Sequence, residues 1–167
     1  APVLSVGAPA NAEEGSPVAL SATATDGNGD SLLFDWDLTG GSSFTTVGAN
    51  AGFTPDDGPA DHTVRARVRD GHSAQVTASR IISIENVAPV LEATLSATRL
   101  ALSAVDPSSA DQAAGFDFTI DVGADGSAVQ HAAGQSAEVQ LDPPAGTTPV
   151  RVTATDKDGG VSQAVTL

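Results

Sequence analysis

Cysteine, methionine and tyrosine are absent from this 167-residue chain, and lysine occurs once, as Lys157. Without cysteine no disulfide can staple the fold, so its stability has to come from packed cores. Aromatics make up only 4% of the residues, five phenylalanines and one tryptophan, which leaves the packing to aliphatic side chains. Basic residues are scarce too: 7 Lys+Arg against 21 Asp+Glu leave a formal charge of −14. A surface this acidic repels phosphate backbones and anionic bilayers, so neither nucleic acid nor membrane insertion is expected. No apolar run approaches the ~20 residues of a membrane span. No signal-like segment precedes the strand-like Ala1-Pro2-Val3-Leu4, so the chain is expected to be a segment of something longer.

What is present points to β-structure. Hydrophobic residues reach 40%, and 17 Gly with 10 Pro interrupt Val-, Thr- and Ser-rich runs at short intervals. The chain also repeats itself. Ala1-Pro2-Val3-Leu4 returns as Ala88-Pro89-Val90-Leu91, and Val18-Ala19-Leu20-Ser21-Ala22 as Leu100-Ala101-Leu102-Ser103-Ala104. Phe34-Asp35-Trp36-Asp37-Leu38 matches Phe116-Asp117-Phe118-Thr119-Ile120, and the run from Val64 to Asp70 matches that from Val150 to Asp156. A repeat of this length suits one small β-sandwich per copy. The fold class expected is therefore all-β, two tandem immunoglobulin-like β-sandwiches, residues 1–86 and 87–167.

The repeated runs alternate with period two, the mark of a strand with one buried face. Leu32, Phe34, Trp36 and Leu38 are expected to point inward, as are Val64, Ala66 and Val68. Asp35 and Asp37 are expected on the outside, facing Arg65, Arg67 and Arg69 across the ladder at about 0.2–1 kcal/mol per pair. The one helical signal, Ala110 to Ala114, is long enough only for a turn of helix in a loop.

Pro2, then Gly15-Ser16-Pro17-Val18, Asp26-Gly27-Asn28-Gly29-Asp30, Phe34-Asp35-Trp36-Asp37 and Val64 to Gly71 together resemble a PKD (polycystic kidney disease) domain. The Asn86-Val87-Ala88-Pro89-Val90 junction is similar to the way such modules are strung together. The second copy resembles the family through Phe116-Asp117-Phe118 and Val150 to Asp156. Three places depart from the family pattern: Thr39-Gly40-Gly41 after the tryptophan strand, His62 and Thr148 where a tyrosine is usual, and the Asp106 to Asp111 loop. The resemblance implies extracellular spacer, adhesion or accessory modules of surface proteins or secreted hydrolases.

Catalysis is not expected. His62, His72 and His131 are scattered, the first at a strand start and the other two in expected turns, and none belongs to a nucleophile or zinc motif. The constellation with a physical mechanism is calcium, a hard cation that takes six to eight oxygens. Asp26, Asn28 and Asp30 offer alternate oxygen side chains on a glycine-rich loop, with Asp70 expected at the same end of the sandwich. The competing reading is that these are ordinary turn residues. A second acidic group is expected from Glu13, Glu14, Asp56, Asp57 and Asp61, from Glu85 and Asn86, and from Asp106, Asp111, Asp156 and Asp158. The expected Ca²⁺ ligands among all of these are Asp26, Asn28, Asp30, Asp70, Glu14, Glu85, Asn86, Asp106, Asp156 and Asp158.

The functional expectation is a non-catalytic extracellular structural or adhesion module, stiffened by Ca²⁺, of a bacterial or archaeal surface protein. Its expected partners are neighbouring domains of the same polypeptide, and a surface protein or glycan. The alternative is a carbohydrate-binding accessory module of a secreted hydrolase, with Phe44 and Phe53 as the exposed aromatics that sugars stack on.

Overall fold

The computed structural model describes residues 1–126, 129–141 and 148–167, and divides into two compact units, Ala1–Glu85 and Asn86–Leu167. Each unit is an immunoglobulin-like β-sandwich.

Unit 1 contains β1 (Val3–Gly7), β2 (Asn11–Glu13), β3 (Val18–Thr25), β4 (Leu33–Asp37), β5 (Thr45–Thr46), β6 (Asn50–Phe53), β7 (Ala60–Arg69) and β8 (Gln75–Glu85). One sheet runs β1-β3-β6 and the other β2-β8-β7-β4-β5. All pairings are antiparallel except β2 with β8. The strands form where Val, Leu, Ala and Thr alternate. In β3 Val18, Leu20 and Ala22 are buried and the residues between them are exposed. In β7 Val64, Ala66 and Val68 have no accessible surface. The core packs Val6, Leu20, Trp36, Val64, Ile82 and Ile84 between the sheets, and Trp36 donates its indole N–H to the Gly48 carbonyl at 3.0 Å. Gly52 lets β6 approach β3, since a Cβ there would meet the Val18 carbonyl oxygen at 2.9 Å.

Unit 2 contains β9 (Val90–Ser96), β10 (Arg99–Val105), α1 (Ser109–Ala114), β11 (Phe116–Val122), β12 (Val129–Gly134), β13 (Ser136–Gln140), β14 (Val150–Thr155) and β15 (Val165–Thr166). Its sheets run β13-β10-β9 and β12-β11-β14-β15. Phe116, Phe118 and Ile120 of β11 pack against Val150, Val152 and Ala154 of β14 and against Leu100 and Leu102 of β10. The order of the strands repeats that of unit 1, with β4 and β7 corresponding to β11 and β14, except that β2 has no counterpart among the described residues.

The expected turn of helix is α1. Ser108 caps its start by accepting the Asp111 N–H at 3.2 Å, and Gly115, at φ +80°, ends it. His131 lies in β12 opposite Thr119 rather than in a turn, because the period-two alternation of this strand runs through Ala132, which packs on the core.

Candidate cation-binding loops

The loop from β3 to β4 carries Asp26, Asn28 and Asp30. Asp26 Oδ1 accepts the Asn28 N–H at 2.8 Å, and this amide holds the Asp26 carboxyl below the usual carboxylate range. Asp26 Oδ2 lies 3.4 Å from the Ala1 amine. Asn28 is exposed, and Asp30 Oδ2 lies 3.7 Å from His72 Nδ1. Asp70, at the end of β7, uses Oδ1 to accept the N–H groups of His72 (2.8 Å) and Ala74 (3.1 Å). Two of the expected ligands of this loop end are thus bound to backbone amides, the chemistry of Asx turns.

Glu14 and Glu85 lie at the other end of the unit 1 strands. Glu14 is wholly buried, and its Oε2 accepts the Gly58 N–H at 2.7 Å. Glu85 accepts from Asn11 Nδ2 at 2.7 Å, and its carbonyl accepts the Glu14 N–H at 3.1 Å.

Unit 2 repeats the turn chemistry at corresponding places. Asp106 Oδ1 accepts the Ser108 N–H at 2.8 Å, as Asp26 does from Asn28. Asp156 Oδ1 accepts the N–H groups of Asp158 (2.9 Å) and Gly160 (2.8 Å), as Asp70 does from His72 and Ala74. Unit 2 then adds groups that unit 1 lacks. Asn86 donates from Nδ2 to Asp156 Oδ2 at 3.1 Å. Asp111 on α1 is wholly buried, and one of its oxygens lies within 4.8 Å of an Asp106 oxygen. The single lysine reaches the same place: Lys157 Nζ lies 3.3 Å from Asp111 Oδ1 and pairs with Asp158. Burial, with Asp111 and Asp156 nearby, raises the Asp106 carboxyl above the usual range. Gly160 is required sterically, because a Cβ there would collide with Asp156 Oδ2 and Asn86 Nδ2.

On the outer face of β4, one expectation fails. Asp35 and Asp37 stand opposite Arg67 and Arg65 in the ladder, yet both are wholly buried rather than outside in solvent. Alternation decides which face a side chain takes, and here that face is covered. Arg69 Nε donates to Asp35 Oδ2 at 2.7 Å, Arg67 Nε to the same oxygen at 3.0 Å, and the Thr46 hydroxyl to Oδ1 at 2.6 Å. Chiefly through Arg69, this holds the Asp35 carboxyl far below the usual range. Phe44 lies on the same face beneath Arg67, whose Cζ sits 4.4 Å from the ring centre. The arginine triplet at alternate positions of β7 was the sequence signal for this network. Thr46, which donates to Asp35, and Phe44, which lies under Arg67, had no such signal.

Phe53 stacks on His62 with ring centres 4.3 Å apart. The pair lines a groove of about 480 Å³ in unit 1 together with Asp56, Asp57 and Asp61.

Compared with known protein families and with curated proteins, the sequence matches none. Among solved structures the chain is similar to the fibronectin(III)-like modules of Clostridium thermocellum CbhA, with a TM-score of 0.41, 14% identity and coverage of 98% of this chain and 91% of the other. It is also similar to the three N-terminal domains of the bacteriophage RB49 Highly Immunogenic Outer Capsid protein, with a TM-score of 0.40, 15% identity and coverage of 99% and 58%.

Proposed function

We propose that this chain is a pair of non-catalytic PKD-like modules of a larger extracellular or cell-surface protein, stiffened by Ca²⁺, that spaces or presents neighbouring domains of the same polypeptide. The observation that carries this reading is the shared loop device. Asp26 and Asp106, and again Asp70 and Asp156, spend a carboxylate oxygen on the amides of their own turns. Loops built this way are fixed in shape, which suits a load-bearing element better than a site that must adapt to a substrate. The acidic surface keeps such an element soluble and apart from other anionic surfaces.

Pulling the chain from both ends in single-molecule force spectroscopy tests the spacer reading. Two separate unfolding events are expected, each releasing roughly 300 Å of chain for about 85 residues at ~3.6 Å per residue. Gradual lengthening at low force, with no discrete events, would count against it.

A glycan-binding accessory module is the second reading, favoured by the groove beside Phe53 and its carboxylates Asp56, Asp57 and Asp61. Phe44, covered by Arg67, gives it no support. Glycan-array binding that disappears in Phe53→Ala would replace the spacer reading with this one.

A further inference from the structure

Unit 2 buries more carboxylate oxygen than it has donors to satisfy. Asp111 has no accessible surface, and neither of its oxygens accepts a hydrogen bond. Its one charge partner among the described residues, Lys157, stands 3.3 Å from Oδ1, and no donor among them reaches Oδ2. Asp106 Oδ2 and Asn86 Oδ1 are likewise buried without a donor. Each of these side chains already has its other polar atom fixed. Asp106 Oδ1 is held by the Ser108 amide, and Asn86 Nδ2 by Asp156. Asp106 and Asn86 thus each keep one buried oxygen that no donor among the described residues reaches. Four carboxylates, Asp106, Asp111, Asp156 and Asp158, meet a single ammonium there, with Asp111 oxygens within 4.8 Å of both Asp106 and Asp158.

A buried carboxylate oxygen with no partner is expensive, and a neutral water would satisfy its lone pair while leaving the excess negative charge. A divalent cation answers both needs, and a set made only of oxygens selects a hard one. The sole lysine contributes a second argument. Its Nζ holds the position from which a cation would neutralise Asp111 and Asp158, and its side chain, 31% exposed, has water to move into.

We propose that unit 2 carries a Ca²⁺ site whose ligands are Asp106 Oδ2, the Asp111 carboxylate and Asn86 Oδ1, supported by Asp156 and Asp158, with Lys157 as the internal cation that Ca²⁺ displaces. This names the ligands for the stiffening in the proposed function and rests on that reading only for the effect of binding. The loop of unit 1 around Asp26 is not part of the site.

The test is calorimetric titration of the chelator-stripped full chain with CaCl₂, with MgCl₂ as the control, beside thermal unfolding in each salt. One saturable Ca²⁺ per chain is expected, with Mg²⁺ binding at least tenfold more weakly. Asp111→Asn should weaken Ca²⁺ by tenfold or more and still fold, because it removes a buried charge. Asp26→Asn should leave the affinity unchanged. Lys157→Gln, which removes the competing ammonium, should tighten binding several-fold, and unchanged affinity would remove Lys157 as the displaced cation. No saturable binding at millimolar Ca²⁺, or equal affinity in Asp111→Asn, or equal affinity for Mg²⁺, would overturn the site. Saturable binding with no rise in unfolding temperature would leave the site standing and refute the stiffening.

Discussion

The two units spend the same amino acids differently at corresponding places. Asp35 in β4 and Asp117 in β11 occupy one position of the repeat, yet Asp35 is wholly buried under Arg67, Arg69 and Thr46 while Asp117 is exposed. The reverse holds in the loops. Unit 1 closes the turn after β3 with exposed Gly27, Asn28 and Gly29, while unit 2 fills that place with α1 and buries Asp111. Both units bury carboxylates at their loop ends, Glu14 and Asp70 in one and Asp111 and Asp156 in the other, and among the described residues only unit 1 buries them on the sheet face as well, in Asp35 and Asp37. Asp35 in the sheet is matched by three hydrogen bonds from two arginines, whereas Asp37 beside it keeps one oxygen without a donor and Asp111 in the loop keeps two. The same strand order thus tolerates a buried carboxylate at two quite different places.

The comparison can be broken most decisively at the cores. Trp36→Ala in unit 1 and Phe118→Ala in unit 2, both essentially without accessible surface, should each cost about 3–5 kcal/mol in urea denaturation. A cost below about 1 kcal/mol for either would mean that the two cores are not built alike. Next comes the carboxylate contrast. Asp35→Ala strands two arginines and should cost roughly 2 kcal/mol, below the figure for a sealed pair because the Arg69 side chain is 39% exposed. Asp117→Ala should stay within about 0.5 kcal/mol.

Acid sharpens that contrast. Asp35 titrates lower in the folded chain than in the unfolded one, so its contribution is complete above the unfolded value near pH 4. It declines as pH falls below that towards the folded value. Asp35→Asn should flatten this part of the acid-stability curve, and an unchanged curve would remove Asp35 as its source. The smallest of the structural effects concerns the turns after β7 and β14. Gly160→Ala, whose Cβ would push into Asp156 and Asn86, should cost about 1 kcal/mol in thermal unfolding. Ala74 already fills the equivalent place in unit 1, so Ala74→Gly there should be felt by only a few tenths.

Much of the sandwich could be read from the chain, because alternation of aliphatic residues is a direct imprint of a pleated strand. Trp36, Val64, Ala66, Val68 and Phe118 follow from it, as does the short helix from Ser108 and the alanines. Asp35 and Asp37 mark where this reading stops. Alternation assigns them to the outer face, but it does not show the Thr46 hydroxyl that reaches Asp35 or the Phe44 ring under Arg67, which come from a two-residue strand and a loop with no periodic signal. The loop acids show the same limit. Their number and turn-forming context were visible, but which oxygens the backbone amides consume and which are left over depends on distances of a few tenths of an ångström. Asp26 and Asp111 look equivalent as letters, yet Asp26 gives one oxygen to the Asn28 amide and keeps one without a donor, while both Asp111 oxygens lack one.

A chain with one lysine carries one side-chain amine, and here it is held against Asp111 and Asp158. An acylating reagent such as an activated ester can therefore modify the side chains of this protein at a single address, inside the acidic cluster. Its rate at Lys157 becomes a clock for how tightly the ammonium is clasped, readable by peptide mass mapping, which separates this adduct from one on the Ala1 amine.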